Sequence, residues 1–257
     1  MDLIIICSAA LLASILTLFS GFGLGTILMP VVAIFFPLDI AIMITAIVHL
    51  ANNLFKVALL GKNVNLGVLL RFGLPAIIAA AIGATLLNKL SLGMPIFQYS
   101  VFDATFSIVT VKLIIGILIL FFVFLELSSV LSDIKLEQKY LPLGGMISGF
   151  FGGLSGHQGA LRSMFLIKIG LHKEQFIATG IMLAIVVDIS RMTIYSREFA
   201  RADTVIVWTP IICATVAAFI GAYFGKKLIT KVTIRSIQIL VSILLSLAAL
   251  GLIFGVI

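Results

Sequence analysis

The feature that most limits the fold is the recurrence of apolar runs, at residues 40–60, 108–127, 176–194, 204–224 and 236–257. Each holds about 20 residues, which as a helix of about 1.5 Å rise per residue spans the roughly 30 Å hydrocarbon core of a bilayer. A soluble domain could not hide so much apolar surface. Of the 257 residues, 62% are hydrophobic and only 11% charged, against about a quarter charged in ordinary soluble domains. The sequence predicts an all-α polytopic protein, multi-pass in a cell (inner) membrane.

The first apolar stretch, residues 3–19, follows a single charge, Asp2. It lacks the basic n-region of a signal peptide, and it is expected to belong to the mature protein. Cys7 and Cys213 both lie in apolar runs without metal-like spacing, so they read as small packing residues; no cofactor or metal is expected. The net charge of +7 is dispersed over loops and helix ends without interleaved aromatic residues. That pattern sets membrane topology and argues against nucleic-acid binding. The expected partners are the lipid bilayer and a small anionic substrate, with a homodimer left open.

Sliding the chain against itself by 135 positions gives an ordered match. Ser20-Gly21 falls on Ser155-Gly156, Thr45 near Thr179, Asn53 on Asp188, Lys56 on Arg191 and Pro75 on Pro210. Farther on the register drifts by about three, so that "GATLLNKL" (83–90) resembles "GAYFGKKL" (221–228). Internal duplication of this kind is a signature of transporters. The expected organisation is a first membrane repeat at 1–127, a polar linker at 128–140 and a second repeat at 141–257. Each repeat has an apolar segment (3–19; 141–154), a glycine break (20–25; 155–159), a short apolar segment (26–36; 160–170) and three spans. The spans are 40–60, 66–87 and 107–127 in the first repeat and 175–195, 204–224 and 236–257 in the second.

The short segments reach roughly half a bilayer. A broken pair can therefore cross as one kinked helix or form a re-entrant hairpin. Leaving out Lys56, Arg162 and Arg191, crossing would place eight Lys/Arg on one side and six on the other. The hairpin places ten on one side, Lys135 and Lys231 among them, and four opposite. The positive-inside rule favours the hairpin. It gives each repeat an odd number of crossings, hence inverted repeats with both termini outside.

Backbone freed from a membrane helix cannot face lipid, so the breaks should line protein or a watery cavity. In "SGFGLGTILMP" (20–30), Gly21, Gly23 and Gly25 allow a sharp turn, and the helix beginning near Thr26 would present amides to an anion. Close helix packing is the competing explanation for Gly21 and Gly25. The second break adds Ser155, Gly156, His157, Gln158 and Gly159, with Arg162 one turn further on. An arginine at mid-membrane costs about 2.5–3.5 kcal/mol on insertion scales, so Arg162 is expected to contact substrate or to pair with Asp188. In the spans that follow, His49, Asn53 and Lys56 share one helical face, and so do Asp188 and Arg191. Asp188 and Arg191 can form an ion pair, and Lys56 can snorkel to the interface. Pro75 and Pro210 are expected to kink their helices.

The stretch from "SGFGLGTILMP" through "TAIVHLANNLFKVALLGKNVNLGVLLRFGLPAIIAAAIGATLL" resembles the repeat unit of the TauE/SafE sulfite-exporter family, also called toluene-sulfonate uptake permeases. In that unit a glycine cluster precedes a short proline-containing segment; a polar-faced span, a basic/Asn loop and a Pro/Gly helix follow, and the whole occurs twice. Gly21, Gly23, Gly25 and Pro30 match the first glycine motif. Ser155, Gly156 and Gly159 match the second in part, with His157-Gln158 where the family carries more glycine and Phe165 in place of proline. The resemblance implies transport of small anions, sulfite or organosulfonates among them.

The expected function is secondary transport of a small oxyanion by alternating access, with the site at mid-membrane between the two breaks. The expected substrate-binding residues are Gly23, Gly25, Thr26, Asn53, Ser155, His157, Gln158, Gly159, Arg162 and Arg191; His49, Lys56 and Asp188 serve coupling or structure. Histidine titrates near neutrality, so His49, His157 or Asp188 can carry a coupled proton, with sodium coupling or uniport left open. An anion channel or a membrane assembly factor is the alternative. An enzyme is not expected: Ser155 and His157 are two apart, and His49 and His172 form no HExxH spacing.

Overall fold

The computed structural model describes residues 1–20, 23–91, 95–102, 104–128, 137–201, 207–228 and 234–256. Gly21, Lys135, Lys231 and residues 129–136 of the linker lie outside them. Before the linker come helices α1 (Asp2–Ser20), α2 (Leu24–Ala33), α3 (Leu38–Leu60), α4 (Leu66–Ser91) and α5 (Thr110–Leu127). After it come α6 (Leu141–Ser155), α7 (Gly159–Lys168), α8 (Lys173–Arg201), α9 (Trp208–Leu228) and α10 (Ile234–Ile253). Helices α3, α4, α8 and α9 are long and apolar enough to cross a bilayer, and α1, α2, α5 and α10 carry shorter apolar stretches.

The breaks fall where glycine permits them. Gly23 precedes α2 with φ of 87°, and Gly156 caps α6 in the left-handed region with φ of 79°, its N–H donating to the Gly152 carbonyl. A side chain at either φ would be strained. Helix α2 is enclosed by protein, and α7 buries one face while leaving Ile167 exposed. Every residue of α2 except Val31 is buried, and α7 buries Leu161, Arg162, Ser163, Phe165 and Leu166. Helix α2 packs against α1, and α7 against α6.

Helices associate in lipid through close backbone approach rather than through expulsion of water, and small residues make that approach possible. On α6, Gly145, Gly149 and Gly153 recur every fourth residue and lie on the carbonyls of Phe72, Ala76 and Ala80, which recur every fourth residue on α4. A Cβ at any of the three glycines would overlap the facing carbonyl. The opposite face of α4, with Leu70, Leu74, Ile78 and Ile82, is more than half exposed and suits acyl chains. Helices α1 and α9 repeat the device, with Gly221 on the Leu11 carbonyl and Ala214, Ala218 and Ala222 fully buried.

The boundaries echo one another. Helices α1 and α6 end at Ser20 and Ser155, α2 and α7 span Leu24–Ala33 and Gly159–Lys168, and α3 and α8 begin at Leu38 and Lys173. Each of these pairs is separated by 135 residues. The packing is reciprocal as well: α4 lies on α6 as α9 lies on α1, while α3 meets α8 and α5 meets α10.

Three expectations are corrected. The span expected from residue 107 begins as a helix only at Thr110, because the preceding residues form a β-hairpin of β1 (Pro95–Val101) and β2 (Ala104–Val109). Its period-two alternation pairs Phe97 with Ile108 and Tyr99 with Phe106, while Gln98 and Ser100 pair with Ser107 and Thr105. The Tyr99 hydroxyl donates to the Phe254 carbonyl (2.6 Å), fastening the hairpin to the end of α10. Pro210 does not interrupt α9; it stands in the first turn, where a missing N–H breaks no helical bond. Pro75 does lie inside α4. Lys56 does not snorkel but is buried, for the reason given below.

Gly149→Ala should lower thermal stability in detergent by about 1–3 kcal/mol, because the added methyl meets the Ala76 backbone. Gly67→Ala, on the exposed first turn of α4, should change it by less than about 0.5 kcal/mol. Equal unfolding temperatures for both variants would refute the close α4–α6 contact.

Candidate functional site

The site is built on the polar faces of α3 and α8, which pack together. Helical periodicity puts Thr45, His49, Asn52, Asn53 and Lys56 on the buried side of α3, and Asp188, Arg191 and Tyr195 on that of α8. Asp188 is the centre. Its Oδ2 lies 2.6 Å from His49 Nδ1. Its Oδ1 accepts from Arg191 Nε (3.0 Å) and from Gln158 Nε2 (3.3 Å). Arg191 Nη2 is 2.8 Å from the same oxygen, but its N–H bonds are not directed at it, so the ion pair is carried by proximity and by Nε.

The hydrogen-bond chemistry assigns the histidine tautomer. A carboxylate only accepts, so His49 Nδ1 donates; in the neutral ring Nε2 is then the acceptor, and Asn53 Nδ2 lies 3.3 Å from it. The network reaches the second break through Gln158, whose Oε1 accepts from Arg162 Nη1 (3.3 Å) and whose backbone carbonyl accepts from Ser148 Oγ (3.0 Å). Arg162 is thus joined to Asp188 through Gln158 rather than directly. Tyr195 fixes α8 to α6 by donating to the Gly153 carbonyl.

Each break abuts one end of this chain of groups. A Cβ on Gly23 would come within 3.1 Å of His49 Nε2, and one on Gly156 within 2.8 Å of Arg191 Nη1. The two glycines therefore let the backbone lie directly on the imidazole and the guanidinium.

Beside the network is a cavity of about 40 Å³, lined on its polar side by Thr17, Gly23, His49, Asn53, Lys56, Arg162 and Ser163. Leu166, Phe176, Gly180, Ile177 and Ile181 form the rest of its wall. Lys56 is held inward by Asn52, which takes the amide orientation that accepts from Lys56 Nζ (3.1 Å) and donates to the Ala218 carbonyl (3.2 Å). Arg162 Nε is buried without a hydrogen-bond partner among the described residues. Lys56 and Arg162 thus line the same cavity.

Of the expected substrate-binding residues, the structure brings Gly23, Asn53 and Arg162 to the cavity, together with His49 and Lys56. The others lie beside it in supporting roles. The Thr26 hydroxyl donates to the Gly23 carbonyl (2.7 Å) and Ser155 Oγ to the Phe151 carbonyl (3.0 Å). Gly25 packs on Thr45, Gly159 opens α7, and Gln158 and Arg191 are engaged by Asp188. His157 Nδ1 lies 2.9 Å from the Ser155 carbonyl, with Nε2 buried and unpartnered among the described residues. Sequence reasoning missed Thr17, Ser163, Gly180 and the apolar wall. Ser163 adjoins Arg162 in sequence, and Gly180 leaves the space in which the Arg162 side chain lies; Phe176, Ile177 and Ile181 carry no signal that separates them from lipid-facing residues.

Broken helices packed within protein, with cations around an interior cavity, are features that helical membrane transporters use. The family model described as Sulfite exporter TauE/SafE matches residues 6–252, and the chain belongs to that family, whose members are membrane transporters of sulfur anions. No curated protein matches the chain, and no solved structure does.

Asp188→Asn should destabilise the protein by about 3–5 kcal/mol, because it leaves Arg191 buried without its carboxylate. Adding Arg191→Gln should recover part of that loss. Thermal unfolding of the two single variants and the double variant measures the coupling, and strictly additive losses would show that the pair does not act as a unit.

Proposed function

We propose that the chain is a secondary transporter of a small sulfur oxyanion in the cell (inner) membrane, working by alternating access around the cavity between α3, α7 and α8. The observation that carries the proposal is the pair Lys56 and Arg162. Both line one cavity, and neither has a carboxylate in an ion pair with it among the described residues. An ion buried without a counter-charge is costly, and an anion in the cavity would relieve both. Asn53 and Ser163 stand beside them as neutral hydrogen-bonding groups, and the arginine fork suits an oxyanion.

The moving parts in this reading are two inverted repeats, residues 1–127 and 141–257, each with a re-entrant broken pair. Four lines of support converge: the charge asymmetry of the loops, the 135-residue echo of the helix boundaries, the packing of α2 on α1 and α7 on α6, and the reciprocal contacts between the repeats. Because the first helix of each repeat packs on the fourth of the other, rocking one repeat against the other would shift the α3–α8 contact where the cavity lies. His49, bonded to Asp188 by one nitrogen and facing the cavity, is the group placed to carry a coupled proton.

Reconstituted protein should show saturable sulfite flux and counterflow, and Arg162→Ala should reduce the flux at least about tenfold while the protein stays folded. Wild-type flux in Arg162→Ala would remove this cavity from the pathway; steep, unsaturable conduction would indicate a channel instead. In a background lacking Cys7 and Cys213, cysteines at Leu3 and Asp39 should be labelled from the same side of the membrane. Labelling from opposite sides would replace the hairpin with a kinked crossing.

A further inference from the structure

The charges around the cavity carry information about the charge of what fills it. Among the described residues the buried lysine, arginine and carboxylate side chains are Lys56, Arg162 and Arg191 against a single Asp188, an excess of two positive charges before any proton on a histidine is counted. Asp188 is spoken for: it takes the Nδ1–H of His49, the Nε–H of Arg191 and an amide N–H of Gln158. The remaining cations are the two that line the cavity, and no carboxylate among the described residues lines it with them. Lys56 is turned inward by Asn52, and Arg162 is held by Gln158 with its Nε left open.

We infer that the cavity selects a small divalent oxyanion over a singly charged one of the same shape, with Lys56 and Arg162 as the residues that read the second charge. The inference rests on the reading that this cavity is the substrate site. A monovalent guest would neutralise one cation and leave the other buried beside it without a counter-charge. A divalent guest neutralises both. The apolar wall of Leu166, Phe176, Ile177 and Ile181 sharpens the difference, because a side chain that excludes water cannot solvate the leftover charge. The cavity of about 40 Å³ has room for a small ion.

Replacing one oxyanion oxygen by a methyl group removes one charge and nearly preserves shape. Sulfite and methanesulfinate form one such pair, sulfate and methanesulfonate another. Titration calorimetry of the purified full-length protein, at mildly alkaline pH where sulfite carries both charges, should show sulfite binding at least about tenfold more tightly than methanesulfinate. In Lys56→Gln the ratio should fall to within about threefold, through weaker sulfite binding and methanesulfinate binding that is no weaker, with a cooperative thermal unfolding transition attesting to the fold. Equal affinity for the two anions in the wild type, or an unchanged ratio in Lys56→Gln, would overturn the charge selection and leave the anion site standing. Sulfite affinity that neither Lys56→Gln nor Arg162→Ala alters, or no affinity for any of the four anions, would instead bring down the site itself. If Lys56→Gln does not fold, the wild-type ratios for both pairs decide the matter.

Discussion

The whole interior is organised around one carboxylate. Asp188 lies in surroundings where an unpaired charge is prohibitive, and it is tolerated because Arg191, His49 and Gln158 converge on it. Those three come from different elements: α8 itself, α3, and the turn that ends the second broken segment. Satisfying one buried charge therefore fixes how α3, α8 and α7 meet, and the polar network is complete enough to specify that arrangement. The same convergence ties the breaks together, since Gly23 lies on His49 at one end and Gly156 on Arg191 at the other.

Around this polar centre the frame is almost without side chains. The glycines of α6 on the alanine carbonyls of α4, and the matching contact of α9 on α1, bring backbones as near as they can come. In lipid, where burying apolar surface gains little, dispersion over such contacts is what holds helices in register. The consequence for function is a division of labour. Tightly seated helix pairs leave their bulky residues exposed, as suits lipid, while α2 and the buried face of α7 bring Gly23 and Arg162 to the cavity.

The charge around the cavity follows from the same accounting. Arg191 uses the only buried carboxylate among the described residues, and in the proposed reading Lys56 and Arg162 are left to meet an anion that arrives from outside. Neutral partners, Asn52 and Gln158, hold them in place without cancelling them. This is the difference between a structural ion pair and a binding site for an anion. It is also why residues that look equivalent in the two parts of the chain, Lys56 and Arg191, do different things: one faces the cavity and the other a carboxylate.

Helix content, the two breaks, and the polar faces of α3 and α8 were legible in the sequence, because each depends on local properties: the length of an apolar run, the backbone freedom of glycine, and a period of 3.6 residues. The helix ends around the two breaks lie 135 residues apart, as the self-match has them, but α2 begins at Leu24 rather than near Thr26, so Gly25 is helical and not part of the turn. Other features were settled only in three dimensions. His49 and Asp188 are 139 residues apart and meet because α3 packs on α8. Lys56, near the end of a helix, could as well have reached outward; Asn52 and the cavity turn it in. Arg162 reaches Asp188 only through Gln158, a relation invisible to spacing. The β-hairpin was masked because its alternating residues adjoin an apolar run, and hydropathy outweighs period when both signals overlap. Local chemistry sets which elements form and which faces are polar; the pairing of buried charges depends on which helices become neighbours, and only tertiary packing decides that.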